Sequence, residues 1–266
     1  MPSSLSDEVR AVLLVTASTS DPTVETVSAA MGASVERTVE LLESSDKAQR
    51  LREAMESELK QHPGDAYASA KLGGLLVSEG RHDDAITLLN TGLATAAADG
   101  AQRYELLLHL GLALTPSDPS AAVQAYRDAL AIPQDPRASL GARLNLAARL
   151  MEQSQLDEAI AITRTATEQA PEVAMAWYNL GLMQRQAGDI AGALQSYERA
   201  LRLSPENAAC HQNLAVAQLL GGNIDAARKS FRTAITLLQS QGQHEQASQL
   251  RERAEAIVKL DGNGLA

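Results

Sequence analysis

The sequence predicts an all-α solenoid of about five stacked helical hairpins, preceded by a helical segment and followed by one further helix. Three observations carry the prediction. Apolar and small residues recur three and four positions apart, which is one face of a helix. Glycine steps such as Gly188-Asp189 and Gly222-Asn223 interrupt that period: glycine takes the left-handed helix end cheaply, and the next side chain caps a new helix. The whole pattern then returns, with Leu146, Leu180 and Leu214 spaced 34 residues apart. A single hairpin cannot bury its apolar face, so stacked neighbours must supply the rest of the core.

Residues 1–62 do not follow the repeat. "DEVRAVLLVTAS" predicts one helix, and "DPTVETVSAAMGASVERTVELLES" two short helices broken at Gly32. Asp21 and Pro22 form a cap and first-turn pair, and Ser34 can cap the next helix. The run from Val27 through Ala30, Met31 and Gly32 to Val35 looks like a helix-turn-helix, and ubiquitin-associated three-helix modules have a similar turn. Residues 1–44 offer only Arg10 and Arg37 against seven acids, whereas DNA phosphates require cations. "SSDKAQRLREAMESELKQHPGD" predicts a charged connecting helix ending at Pro63. The preferred reading of 1–62 is a helical cap. The alternative is a regulatory module that binds DNA or a regulator, with the repeats as sensor.

The hairpins follow over 63–241, as copies at about 66–99, 104–139, 140–173, 174–207 and 208–241. The fourth is the fullest: Trp177, Leu180, Gly181 and Gln184, then Gly188, then Ala193, Tyr197, Ala200 and the terminating Pro205. The fifth repeats Leu214, Gly222, Asn223, Ala227, Phe231 and Ala234, and the third Leu146, Ala147, Ala159, Ala166 and Pro171. The second, shifted by a few residues, has Leu110, Gly111, Ala122, Tyr126, Ala129 and Ile132, with a shortened turn at "TPSDPS". The first has Leu72, Gly73, Gly80, Ala85, Leu89 and Gly92. Glycine or alanine lets one helix approach the next, and the large residue fills the space beside it.

This pattern resembles the tetratricopeptide repeat family over roughly residues 66–241. Gln184 departs from it, standing where a tyrosine is usual, and His211 stands in place of the tryptophan. The resemblance implies a right-handed superhelix whose first helices line a concave groove. Residues 242–266 close the chain with a capping helix, Glu245–Leu260, that places Ala247, Leu250, Ala254 and Ile257 on one face, and a frayed tail.

Composition narrows the function. The chain has 266 residues, a net charge of −10, 45 % hydrophobic and 21 % charged residues, and one cysteine, Cys210. The acidic balance disfavours nucleic acid and anionic membranes, and the apolar runs are too short for membrane insertion. The end around Arg228, Lys229, Arg232, Arg251, Arg253 and Lys259 is locally basic, as a solvated last helix can be. Asp7 and Glu8 precede "AVLLV", which makes a poor signal peptide, and cytoplasmic residence is the plain expectation.

No catalytic, metal or cofactor site is expected. His62, His82, His109, His211 and His244 include no pair at helical metal-ligand spacing, and one cysteine cannot complete a zinc site. No phosphate loop occurs: "GGNIDAARKS" lacks a glycine before its lysine. The tail "LDGNGLA" departs from a calcium loop at Lys259. The chain is therefore read as a non-enzymatic scaffold, adaptor or assembly factor for a protein or peptide partner.

The candidate binding residues are polar groups that keep the period. Asn145, Asn179 and Asn213 lie 34 apart, each just before the first-helix leucine, and Lys71 and His109 hold that place in the earlier copies. The resemblance implies that this column, with Tyr178 beside it, faces the groove. Asparagine carries both donor and acceptor, so a ladder can bond an extended peptide backbone or can bond between helices. The family subtype that grips chaperone carboxylate tails is not matched. Its clamp places hold Leu144, Ala148, Asn179, Ala209 and Asn213, of which Asn179 alone agrees. Leu182, Val216 and Leu219 would make that face partly apolar.

Overall fold

The structure, a computed structural model, describes residues 35–95 and 100–259. The helices expected between residues 7 and 34, the helix-turn-helix turn at Gly32 and the tail beyond Lys259 lie outside the described residues. Among those described there are twelve helices and no strands. Contacts divide the chain into two compact units, 1–134 and 135–266.

Unit 1 opens with α1 (Val35–Gln61). A short helix and a separate connecting helix were expected here; they are one 27-residue helix, because nothing between Val35 and Gln61 is glycine or proline. Two hairpins follow, α2 (Ala66–Ser78) with α3 (His82–Ala94) and α4 (Gly100–Leu114) with α5 (Pro119–Ala131). Asp65 caps α2 by accepting from the Ala68 N–H at 2.7 Å. Asp118 caps α5, with Pro119 in the first turn. The core joins Ala66, Ala70, Leu72, Leu76, Ala85, Leu89, Leu106 and Leu110, and Met55 and Leu59 of α1 pack against it.

Unit 2 stacks three hairpins: α6 (Leu140–Glu152) with α7 (Leu156–Gln169), α8 (Ala174–Gln186) with α9 (Ile190–Leu203), and α10 (Ala208–Leu220) with α11 (Ile224–Ser240). The expected final helix is α12 (His244–Lys259). Its Ala247, Leu250 and Ala254 are buried in one cluster with Phe231, Ile235 and Leu238. Gly188 and Gly222 turn with φ of 83° and 78°, as the punctuation required, but the third hairpin turns on Ser154 at φ 61°.

In the first, second and fourth hairpins the helix separation is set by a glycine facing a large residue. A methyl group placed on Gly181 would stand 2.6 Å from Cε1 of Tyr197; on Gly111, 2.6 Å from Tyr126; on Gly73, 2.5 Å from Leu89. The corresponding places in the third and fifth hairpins hold Ala147 with Thr163 and Ala215 with Phe231, all buried.

The two departures from the repeat pattern each have a structural reason. Gln184 is buried and accepts from the Ser196 hydroxyl at 2.6 Å; Gln218 does the same for Ser230 at 2.8 Å, one repeat on. The third hairpin has Leu150 and Ile162 at those places, so an apolar pair and a bonded polar pair serve one position. His211, in place of tryptophan, pairs its ring Nε2 with the Pro205 carbonyl at 2.9 Å, matching the bond from the Trp177 indole to the Pro171 carbonyl at 2.9 Å. The proline that ends one hairpin thus anchors the first helix of the next.

Two outcomes follow from this packing. Gly181→Val should cost about 1–3 kcal/mol by overpacking, seen as a lower urea midpoint, and much less in a Tyr197→Ala background. Equal costs in the two backgrounds would show that Tyr197 is not the obstacle. Removing residues 243–266 uncovers Phe231, Ile235 and Leu238. The truncated chain should melt lower and self-associate in light scattering, and a truncated monomer with unchanged melting would contradict the capping role.

Candidate functional site

The polar column divides into members that bond between helices and members that do not. In unit 1, Lys71 reaches from α2 to α4, with Nζ 2.8 Å from Glu105 Oε2 and 5.3 Å from the centroid of the Tyr67 ring. His109, expected to face the groove, is instead buried against α2: a methyl on Gly74 would meet its ring at 2.8 Å. Burial pushes its pKa below the ordinary histidine value; Glu105 opposes that shift and Lys71 adds to it. A ring packed this way turns little of its surface outward.

In unit 2 the first helices α6, α8 and α10 carry Asn145, Asn179 and Asn213, all half-buried. Asn213 is spoken for. Its Nδ2 donates to the Tyr178 hydroxyl at 3.0 Å and to the Ala209 carbonyl at 2.9 Å, which ties α10 to α8. Tyr178 is correspondingly fixed, its ring centroid 6.1 Å from that of Tyr197. Burial raises the Tyr178 pKa, so the phenol stays protonated at neutral pH. Asn145 and Asn179 bond to no group among the described residues, and each keeps a free donor and acceptor. Of the apolar residues expected beside them, Tyr178 and Leu182 pack against the core of the fourth hairpin and its neighbour, and Val216 and Leu219 against that of the fifth.

Nothing in the sequence reading flagged the recess that α10 makes with α12. Ala209 and Gln212, adjacent to Asn213 in the chain or one turn from it, line a pocket of about 490 Å³ with Gln246, Gln249, Leu250 and Arg253 of α12. Leu238 of α11 also lines it, and the Gln241 amide, bonded to the Glu206 carbonyl at 3.1 Å, stands at its edge. The signal was the run of glutamines Gln239, Gln241, Gln243, Gln246 and Gln249, which a helical reading assigns to a solvated face.

Reactive groups are silenced by their surroundings. Cys210 is fully buried, donates to the Tyr197 carbonyl at 3.6 Å, and has its thiol pushed up to about 12 by desolvation. At neutral pH it is a protonated packing residue rather than a nucleophile. Among the described residues no group of three or more His, Cys, Asp or Glu could hold a metal ion, and no helix is long and apolar enough to cross a membrane.

The tetratricopeptide repeat family matches residues 47–101 and 144–208, and a second set of tetratricopeptide repeats matches 184–240. Together these matches span more than half of the chain. A TPR repeat-containing protein of Synechococcus elongatus is 40 % identical over 131 residues, which is 49 % of this chain and 32 % of that protein. The matched part is thus about a third of that relative's length. Among solved structures, MamA superposes with a TM-score of 0.57 at 22 % identity, over 65 % of this chain and 97 % of that one. MamA from Desulfovibrio magneticus RS-1 gives 0.58 at 21 %, over 66 % and 96 %. YrrB, described as a TPR protein with an unusual peptide-binding site, gives 0.59 at 18 %, over 76 % and 99 %. At such identities the likeness is one of fold.

The split within the column has a measurable consequence. Asn213→Ala should lower stability by about 0.5–1.5 kcal/mol through the lost inter-helix bond. Asn145→Ala and Asn179→Ala should stay within about 0.5 kcal/mol of the parent. Urea melts of the three single variants check this, and equal losses at all three would make the column uniformly structural.

Proposed function

The chain belongs to the tetratricopeptide repeat family, and we propose that it is a non-enzymatic scaffold, an adaptor or assembly factor, holding an extended segment of a protein partner on the first-helix side of unit 2. The observation that carries the reading is the pair of unbonded half-buried amides at Asn145 and Asn179, one repeat apart, beside a third, Asn213, that the fold itself uses. An extended backbone presents a carbonyl and an N–H at every residue, and a carboxamide can answer both without reading the sequence. The recess between α10 and α12, with Leu238 and Leu250 among amides, is large enough to take one partner side chain, so backbone contacts give grip and the recess gives choice.

Lys71 and His109 have no part in this proposal, the first being paired to Glu105 and the second buried. Tyr178 belongs to it as the residue that holds Asn213 in place rather than as a contact. The free, buried Cys210 accords with a reducing compartment such as the cytoplasm.

Affinity purification with the intact chain as bait, read by mass spectrometry, supplies the partner, and the same chain carrying Asn145→Ala and Asn179→Ala tests the site. Two neutral hydrogen bonds at about 0.5–1.5 kcal/mol each predict binding weaker by about one to two decades with unchanged melting. Full affinity in the well-folded double variant would move the binding surface elsewhere.

A further inference from the structure

We propose that a cleft on the second-helix side of unit 2 is a second docking site, one that takes a carboxylate-rich segment of a partner protein. The cleft encloses about 350 Å³ and is walled by Arg164 of α7 and by Arg199 and Arg202 of α9, with Trp177 of α8 and Gln195 beside them. Arg164 and Arg202 are exposed and Arg199 is half-buried. Glu168 is the one carboxylate among the lining residues, and none of the three guanidinium groups is paired with an acid among the described residues.

Other arginines do find acids, as Arg52 does with Glu79, Arg81 with Asp84, Arg137 with Glu172, and Arg149 with Glu152. In a chain of 33 Asp and Glu against 23 Lys and Arg, three arginines around one cleft are left to an outside partner. With three guanidinium groups against one carboxylate in its lining, the cleft is a cationic place on an anionic protein. That arrangement draws an acidic segment toward the cleft, while the acidic surface elsewhere on the chain repels the same segment.

Arg199 is also prepared for the task. The Trp177 indole is held by its bond to the Pro171 carbonyl, and the Arg199 Cζ lies 6.0 Å from the centroid of that ring. A guanidinium steadied over an aromatic ring loses less freedom when it forms two parallel bonds to a carboxylate, a geometry that lysine could not offer. This side of the unit is built from different residues than the asparagine column, so either site can fail without the other.

Trp177 is the chain's only tryptophan, so the cleft carries its own reporter. The intact protein is titrated with a short oligo-glutamate peptide while Trp177 fluorescence and heat are recorded. We expect a saturable change that Arg164→Glu with Arg202→Glu weakens by about ten-fold or more at unchanged melting. Raising salt from about 0.05 to 0.5 M should weaken it strongly, because the screening length falls to about 4 Å. Asn145→Ala with Asn179→Ala should leave peptide binding as it was. Absence of a heat signal, equal binding by the charge-reversed variant, loss of binding in the asparagine variant, or preference for a single-stranded oligonucleotide would each overturn the proposal.

Discussion

The distance between two helices within a hairpin is the constraint on which the rest depends. At Gly73, Gly111 and Gly181 the first helix has no side chain, and Leu89, Tyr126 and Tyr197 of the second lie against its backbone. That contact sets a spacing at which Ala85, Ala122 and Ala193 are fully buried. The same residue then carries the order onward: the Tyr197 carbonyl accepts the Cys210 thiol of the next first helix, and the Tyr197 ring lies beside Tyr178. Stability built this way is a chain of neighbour contacts rather than one central core.

Much of this was legible in the sequence because backbone geometry admits few residues. A left-handed turn calls for glycine, and Gly188 and Gly222 stand where the period breaks. Close approach calls for glycine or alanine, and those positions, Gly73, Gly111, Ala147, Gly181 and Ala215, recur at 34 to 38 residues. The continuous α1 was less legible: capping residues such as Ser34 suggest a start, but the run after it has no residue that forces a stop. Ser154 was not visible as a turn either, since its left-handed conformation is imposed by the hairpin and not by its own preference.

The site was only half legible. Spacing placed Asn145, Asn179 and Asn213 on one face, yet spacing cannot tell a bonded amide from an open one. That depends on whether a hydroxyl such as that of Tyr178 lies within reach on the preceding helix. His109 shows the same limit, since spacing does not reveal that its ring is buried against Gly74 of the neighbouring first helix. The glutamine recess and the arginine cleft escaped because each gathers residues from separate helices, and no periodicity on one helix announces them. Polar groups in this fold therefore sort by use: Asn213, Gln184 and Gln218 hold helices together, while Asn145 and Asn179 remain available.

The most direct test follows the side-chain amide resonances of the three asparagines in the intact chain as a partner segment is added. Engagement of the open amides predicts that the Asn145 and Asn179 signals move together and saturate at one affinity, while the Asn213 signal, already bonded to Tyr178, changes little. Saturable binding that leaves Asn145 and Asn179 unmoved would contradict that assignment and show that this face does not hold the partner.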